Sequence, residues 1–137
     1  MSGSVAYLDS SAFVKLLVAE AESEELRLSL LRWPRRASAD LLRTEAQRAL
    51  RRAGRADLTG AARRLTGTLD LIRLDSPLLE RAGELEPPEL RSLDAVHLAA
   101  ALALGPDLGV LFTYDDRLRA AAELAGLDVR SPGVERS

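Results

Sequence analysis

The sequence predicts an α/β fold with a central, mainly parallel sheet of four or five strands covered by helices on both sides. Short apolar segments alternate along the chain with longer stretches whose apolar residues recur at helical spacing. The apolar segments contain too few polar residues to alternate, which is typical of parallel strands buried on both faces. Because 137 residues suit one domain of ordinary size, we expect residues 1–137 to form a single domain.

The strands are predicted from these apolar segments. The first, at residues 5–8, contains a β-branched and an aromatic residue and ends abruptly at Asp9. The second is inferred only from its place between two helical patterns. After the first strand, the others are predicted at residues 36–38, 69–74, 110–113 and 128–130.

The helices are predicted from periodicity and from the residues at their ends. Ser10 or Ser11 can cap the first helix and Ser38 or Asp40 the third, and a Ser-Pro pair opens the fifth. The helix at 92–104 is apolar nearly all round, as expected of a helix packed inside the fold. The seven helices are predicted near residues 12–17, 20–32, 41–53, 57–66, 76–86, 92–104 and 115–125.

Composition limits the kinds of site and setting. Without cysteine, the chain has no disulfide, thiolate metal site or cysteine nucleophile, so we expect a cytoplasmic protein. No signal segment opens the sequence, and its most apolar run, residues 93–104, is too short to span a bilayer. We therefore predict that the protein has no membrane partner.

Charge is unevenly distributed, although the formal net charge is only −2. Residues 27–64 contain eleven arginines against three acids, a local net charge of +8. Arginine makes planar, bidentate contacts with phosphate, so this stretch could bind nucleic acid. The alternative is compositional, because eighteen of the nineteen basic residues are arginine and exposed helix faces would carry them in any case.

Four carboxylates have unusual positions relative to apolar segments. Asp9 and Asp115 each follow a predicted strand, and right-handed crossovers would bring both to the same edge of the sheet. Glu45 borders the apolar stripe of its helix, and Asp94 lies in the first turn of the most apolar helix. Each acid alone has a structural explanation, as a helix cap or an exposed side chain. Together they predict one acidic site.

Such a site predicts a hard divalent cation. Carboxylates that converge without a counter-charge repel one another, and Mg²⁺ or Mn²⁺ relieves this repulsion while keeping waters and phosphate oxygens in its shell. A bound metal lowers the pKa of water and neutralises charge that develops on phosphorus. The predicted chemistry is therefore metal-assisted hydrolysis of a phosphodiester.

Four segments, in chain order, resemble the motifs of PIN-domain ribonucleases, and specifically those of VapC-type toxins of bacterial toxin-antitoxin pairs. The segments are YLDSS at residues 7–11, LRTE at 42–45, RSLDAVHLA at 91–99 and FTYD at 112–115. The resemblance covers almost the full chain. It implies a PIN-like three-layer α/β/α fold and a Mg²⁺- or Mn²⁺-dependent endoribonuclease.

The resemblance also implies roles for the four acids and for partners. Asp9 and Asp94 would bind metal directly, and Glu45 and Asp115 would bind it through water or orient the attacking hydroxide. RNA would be the substrate, a cognate VapB-type antitoxin the inhibitor, and a homodimer the assembly.

Four residues near these acids could play a supporting part in the site. Asp116 could replace Asp115, but the family pattern places the acid two residues after Thr113, so Asp116 is expected to begin the helix. Thr113 and Ser11 could hydrogen-bond a carboxylate or a metal-bound water. His97 lies one helical turn from Asp94 and is interpreted as a packed, hydrogen-bonded core histidine.

Other classes fit less well. A phosphoacceptor receiver domain needs a lysine at a late strand end, whereas the only lysine is Lys15 in the first helix. A haloacid-dehalogenase-like phosphatase needs an aspartate two residues after Asp9, where Ser11 stands. The remaining alternative is a PIN-like scaffold that binds RNA or a protein without cutting.

Overall fold

The computed structural model of the protein describes residues 2–134 and contains a five-stranded sheet. All four strand pairs are parallel, and the strand order is β3-β2-β1-β4-β5, with β1 at the centre. The fold class predicted from the sequence is therefore confirmed. The strands are β1 (Val5–Leu8), β2 (Arg35–Ala39), β3 (Asp70–Ile72), β4 (Leu108–Phe112) and β5 (Val129–Arg130).

Helices cover both faces of the sheet. On one face, alternate strand residues such as Tyr7 and Leu111 pack against α5, α6 and α7, and on the other, Leu8 and Phe112 pack against α1 and α2. Helices α3 and α4 form a third apolar cluster with Phe13 of α1. The helices are α1 (Ser10–Lys15), α2 (Ser23–Leu30), α3 (Leu42–Arg52), α4 (Thr59–Thr66), α5 (Ser76–Gly83), α6 (Ser92–Ala103) and α7 (Asp116–Leu124), with short 3₁₀ turns at Ala56–Leu58 and Gly105–Asp107.

Two of the predicted helix caps are wrong. Helix α1 is capped by Asp9, whose side chain accepts a hydrogen bond from the N–H of Ala12, rather than by Ser10 or Ser11. Helix α3 begins after Leu41 without any side-chain cap, although Ser38 and Asp40 had the right chemistry. Ser38 lies inside β2 instead, where its hydroxyl donates to the carbonyl of Leu8.

Several elements are shorter than predicted, α2 and β3 most clearly. Helix α2 excludes residues 20–22, with their two glutamates, and ends at Leu30. Strand β3 excludes Leu69, whose N–H donates to the carbonyl of Thr66 in a turn. Leu69 and Leu74 lie outside the strand pairing but pack against the apolar clusters of the fold, so their apolar character reflects burial and not strand pairing.

Close backbone approach is required at Gly109 in β4. A Cβ atom there would lie 2.4 Å from the Trp33 ring and 2.3 Å from the carbonyl oxygen of Gly3. Only glycine leaves room for this packing. Among residues 2–134, no helix is both long and apolar enough to cross a membrane.

Candidate active site

Two of the predicted site acids cap helices at the carboxyl edge of the sheet. Asp9 follows β1 and accepts a hydrogen bond from the N–H of Ala12, and Asp115 follows β4 and accepts one from the N–H of Leu118. Because β1 and β4 are parallel neighbours, their carboxyl ends lie side by side. Each aspartate therefore combines a capping role with a position at the edge where ligands of α/β proteins bind.

The carboxylate of Asp9 is almost fully enclosed. Asp9 is 4% exposed, and besides Ala12 it accepts hydrogen bonds from the hydroxyls of Ser11 (2.6 Å) and Thr113 (2.5 Å). Burial raises the pKa of Asp9, while His97 and the two hydroxyls act in the opposite direction. The predicted contact of Ser11 and Thr113 with a carboxylate is thus confirmed.

Thr113 links Asp9 to Asp115. Its hydroxyl donates to Asp9 and accepts a hydrogen bond from the backbone N–H of Asp115 (3.0 Å). The carbonyl of Thr113 accepts a hydrogen bond from the hydroxyl of Ser131, which itself accepts one from the guanidinium of Arg119 (2.6 Å). The chain after β5 therefore supports the loop that carries Asp115.

Glu45 reaches the site through a contact between α3 and α6. Its Oε1 accepts a hydrogen bond from Nε2 of His97 (2.5 Å), and Nδ1 of His97 lies 2.7 Å from the hydroxyl of Tyr7. His97 is 2% exposed, so the prediction of a packed, hydrogen-bonded histidine is confirmed. Burial lowers the pKa of His97, but the hydrogen bond and charge of Glu45, together with Asp9 and Asp94, raise it overall.

Asp94 is less enclosed than Asp9. It lies half-buried in the first turn of α6, and its pKa is raised by burial and then by the charges of Asp115, Asp9 and Glu45, against the effect of His97. The four acids therefore share one electrostatic environment. An open cavity of about 330 Å³ is lined by Arg91, Asp94, Asp115, Asp116 and Arg117.

The donor set fits a hard cation in its chemistry. Asp9, Asp94 and Asp115 form no ion pair within the described residues, and the charge of His97 offsets only part of the repulsion that raises the pKa of Asp94. No three histidine, aspartate or glutamate side chains of residues 2–134 are already arranged to hold a metal ion. Mg²⁺ is usually held by one or two carboxylates with waters and substrate phosphates, and the site offers such carboxylates.

Comparison with known proteins identifies the fold family. The model of the PIN domain family matches residues 6–124. The chain belongs to the PIN domain family. Two similar proteins of this family come from Mycobacterium tuberculosis. Ribonuclease VapC46 is 52% identical over 126 residues, covering 92% of this chain and 96% of that protein, and Ribonuclease VapC47 is 39% identical over 134 residues, covering 95% and 98%.

These relatives place the PIN domain in the VapC ribonuclease family. A solved structure of VapC20 from Mycobacterium tuberculosis, a toxin that cleaves the sarcin-ricin loop, covers 85% of this chain and 94% of its own, with a TM-score of 0.71 at 20% identity. At that identity the likeness shows the shared PIN fold. The family predicted from the four sequence segments is confirmed.

Sequence reasoning missed two residues that support the site of this PIN domain. Ser131 lies just beyond the last predicted strand, yet it is 8% exposed and its hydroxyl donates to the carbonyl of Thr113. Arg119 was one of many helix arginines, yet it is buried and contacts Ser131. Arg119 directly follows the apolar Leu118 in a predicted helix, and this position next to the apolar face could have suggested partial burial. No local sequence signal indicates the partner of Ser131.

Proposed function

We propose that this VapC-family protein is a Mg²⁺- or Mn²⁺-dependent endoribonuclease and the toxin of a toxin-antitoxin pair. The observation that supports it most is the convergence of the acids at one edge of the sheet: Asp94 and Asp115 line one open cavity, and Thr113 joins Asp115 to Asp9. Four carboxylates from separate segments share an environment that a divalent cation would stabilise. The names of the relatives support RNA as the substrate class.

The proposed roles follow the differences between the acids. Asp9 and Asp94 would hold the metal directly, and Glu45 and Asp115 would do so through water or orient the attacking water. When bound, the metal would lower the pKa of a water and neutralise charge on the phosphate. Asp9 is fixed in place by Ser11 and Thr113, whereas Asp94 borders the open cavity that would admit the substrate.

His97 would act on the reaction only through Glu45. Because a carboxylate can only accept, Nε2 of His97 carries the hydrogen of their shared bond. This bond occupies Oε1 of Glu45 and fixes the direction of the carboxylate. His97 is accordingly proposed as a positioning residue and not as a general base.

The wider setting of the protein also belongs to this proposal. The chain would act as one PIN domain in the cytoplasm, pair with a VapB-type antitoxin and form a homodimer. The family membership and the named VapC relatives support the antitoxin partner.

Cleavage of total cellular RNA tests the activity. Purified protein with Mn²⁺ or Mg²⁺ should give discrete products, EDTA should suppress them, and the Asp94→Asn variant should give none. The variant should keep the wild-type circular dichroism spectrum, because Asp94 borders an open cavity. Full activity of the variant would refute the proposed role of Asp94. An inactive wild-type protein would favour a non-catalytic scaffold that binds RNA or protein.

Thermal unfolding tests the metal site without any substrate. A ligand that binds only the folded state at 100 times its dissociation constant stabilises that state by about 2.7 kcal/mol. Mn²⁺ should therefore raise the melting temperature of the wild-type protein, and this increase should be lost in Asp94→Asn. Equal shifts in the two proteins would place the bound metal elsewhere.

A further inference from the structure

All but one of the eleven arginines of residues 27–64 fall into two groups according to their partners; the exception, Arg36, donates to the carbonyls of Trp33 and Leu30. One group is neutralised locally, in the ion pairs Arg27–Glu24, Arg35–Asp70, Arg43–Asp40 and Arg55–Asp57. A second group is exposed and has no ion pair within residues 2–134, and on α3 and α4 it consists of Arg48, Arg51, Arg52, Arg63 and Arg64. Five unpaired guanidinium groups therefore stand on these two helices.

The register of α3 places two of these arginines in line with Glu45. At 3.6 residues per turn, Arg52 lies about 20° from Glu45 around the helix axis and Arg48 about 60° from it. Along the axis, Arg48 and Arg52 lie about 4.5 Å and 10.5 Å beyond Glu45. Arg51 lies about 120° away, so neighbouring arginines of equal charge face different directions.

This arginine row, Arg48 and Arg52, begins at the candidate active site. Glu45 touches His97 of α6 at the edge of the sheet where Asp9 lies. The opposite flank of α3 leads to α4, where the side-chain amide of Gln47 donates to the carbonyl of Thr59. Because Leu42, Ala46 and Leu50 are buried, the helix is held against the core and the row keeps a fixed direction from the acids.

We propose that Arg48 and Arg52 bind phosphates of a single-stranded RNA whose reacting phosphate lies at the acids, and that Arg51 does not. The inference rests on the proposed nuclease function, since it takes the acids as the cleavage point. Phosphates that approach the acids meet repulsion, and guanidinium groups in line with them supply attraction next to that point through bidentate hydrogen bonds. An arginine without an ion pair can bind a phosphate without first breaking a contact to a carboxylate.

Salt-dependent binding tests this assignment. The probe is a short, fluorescein-labelled single-stranded RNA of mixed sequence, with anisotropy measured in EDTA so that the RNA remains intact. Each lost phosphate contact on a single strand lowers the slope of log K against log salt by about 0.7. The double variant Arg48→Gln/Arg52→Gln should therefore lose about 1.4 in slope and bind on the order of ten-fold more weakly.

The matched control is Arg51→Gln, compared with Arg52→Gln alone. Both variants remove one positive charge from adjacent exposed positions of the same helix, so a general electrostatic effect would weaken both equally. The proposal predicts that Arg52→Gln lowers the slope and Arg51→Gln leaves it unchanged. Equal effects of the two variants, or no effect of either, would overturn the proposal. Circular dichroism should show the same helix content in all variants.

Two further measurements separate this proposal from the function on which it rests. If wild-type protein cuts no RNA but the contrast between Arg51 and Arg52 holds, the arginine row stands and the nuclease hypothesis fails. If instead the row variants bind RNA normally but lose affinity for poly-L-glutamate, the row serves an acidic protein and the RNA assignment is wrong.

Discussion

The candidate site has a rigid side around Asp9 and an open side around Asp94. Asp9 is 4% exposed, and both of its carboxylate oxygens accept hydrogen bonds from Ser11, Ala12 or Thr113. Asp94 is half-buried, and no hydrogen bond to its carboxylate is found within residues 2–134. Burial raises the pKa of both groups; at Asp94 the charges of other acids add to the increase, whereas at Asp9 the hydrogen bonds from Ser11 and Thr113 act against it.

The contrast shows that two aspartates of one site can differ in role: Asp9 stabilises the fold, whereas Asp94 contributes mainly charge. Asp9 caps α1 and completes a buried hydrogen-bond network, so its loss disturbs the fold as well as the site. Asp94 contributes mainly charge that its neighbours disfavour, so its loss should disturb only the chemistry. Two carboxylates with the same proposed role should therefore differ in their effect on stability.

The largest expected effects come from replacing each acid by alanine. Both Asp9→Ala and Asp94→Ala should abolish detectable cleavage. In urea unfolding, Asp9→Ala should lower the free energy of unfolding by about 2 kcal/mol, because buried donors lose their acceptor and α1 loses its cap. Asp94→Ala should change it by less than about 0.5 kcal/mol. Equal destabilisation by the two variants would contradict the division into a rigid and an open side.

The next effect concerns Thr113, whose hydroxyl connects the two sides. Thr113→Val keeps the shape but removes a donor to Asp9 and an acceptor for the N–H of Asp115. We expect a loss of about 1–3 kcal/mol in stability and of about 10–100-fold in cleavage, as for other residues that orient metal ligands. Thr113→Ser, which restores the hydroxyl, should recover most of both losses. A serine variant as impaired as valine would show that the methyl group matters instead.

The positions of Asp9 and Asp115 were easier to predict from the sequence than the residues that hold them in place. Asp9 and Asp115 could be placed at one edge because each directly follows an apolar strand, and right-handed crossovers bring the carboxyl ends of parallel strands to the same edge. The cap of α1 was misassigned because Asp9 and Ser11 both have capping chemistry, and only the folded backbone selects between them. Ser131 could not be predicted, since its burial depends on Arg119 and the carbonyl of Thr113, contacts that no local pattern encodes.

His97 lies between the two sides and illustrates the same limit of prediction from sequence. Its replacement has the smallest effect that we predict. Sequence reasoning predicted a packed His97, but not that Glu45 would be its partner. Because the folded pKa of His97 is raised above its ordinary value, the folded state binds more protons than the unfolded chain between the two pKa values. The stability that His97 contributes is fully present below about pH 6.5 and is lost as pH rises through its folded pKa.

As pH rises from acidic to mildly alkaline values, the urea concentration at the unfolding midpoint should therefore decline for the wild-type protein. The His97→Gln variant should not show this decline. Tyr7→Phe is the matched control, because it removes only the hydroxyl beside Nδ1 and leaves the bond to Glu45. This variant should be less stable by about 1 kcal/mol and still show the decline. If Tyr7→Phe abolished the decline as fully as His97→Gln, the pH dependence would belong to the buried hydroxyl contact, and Glu45 would not be the group that holds the proton on His97.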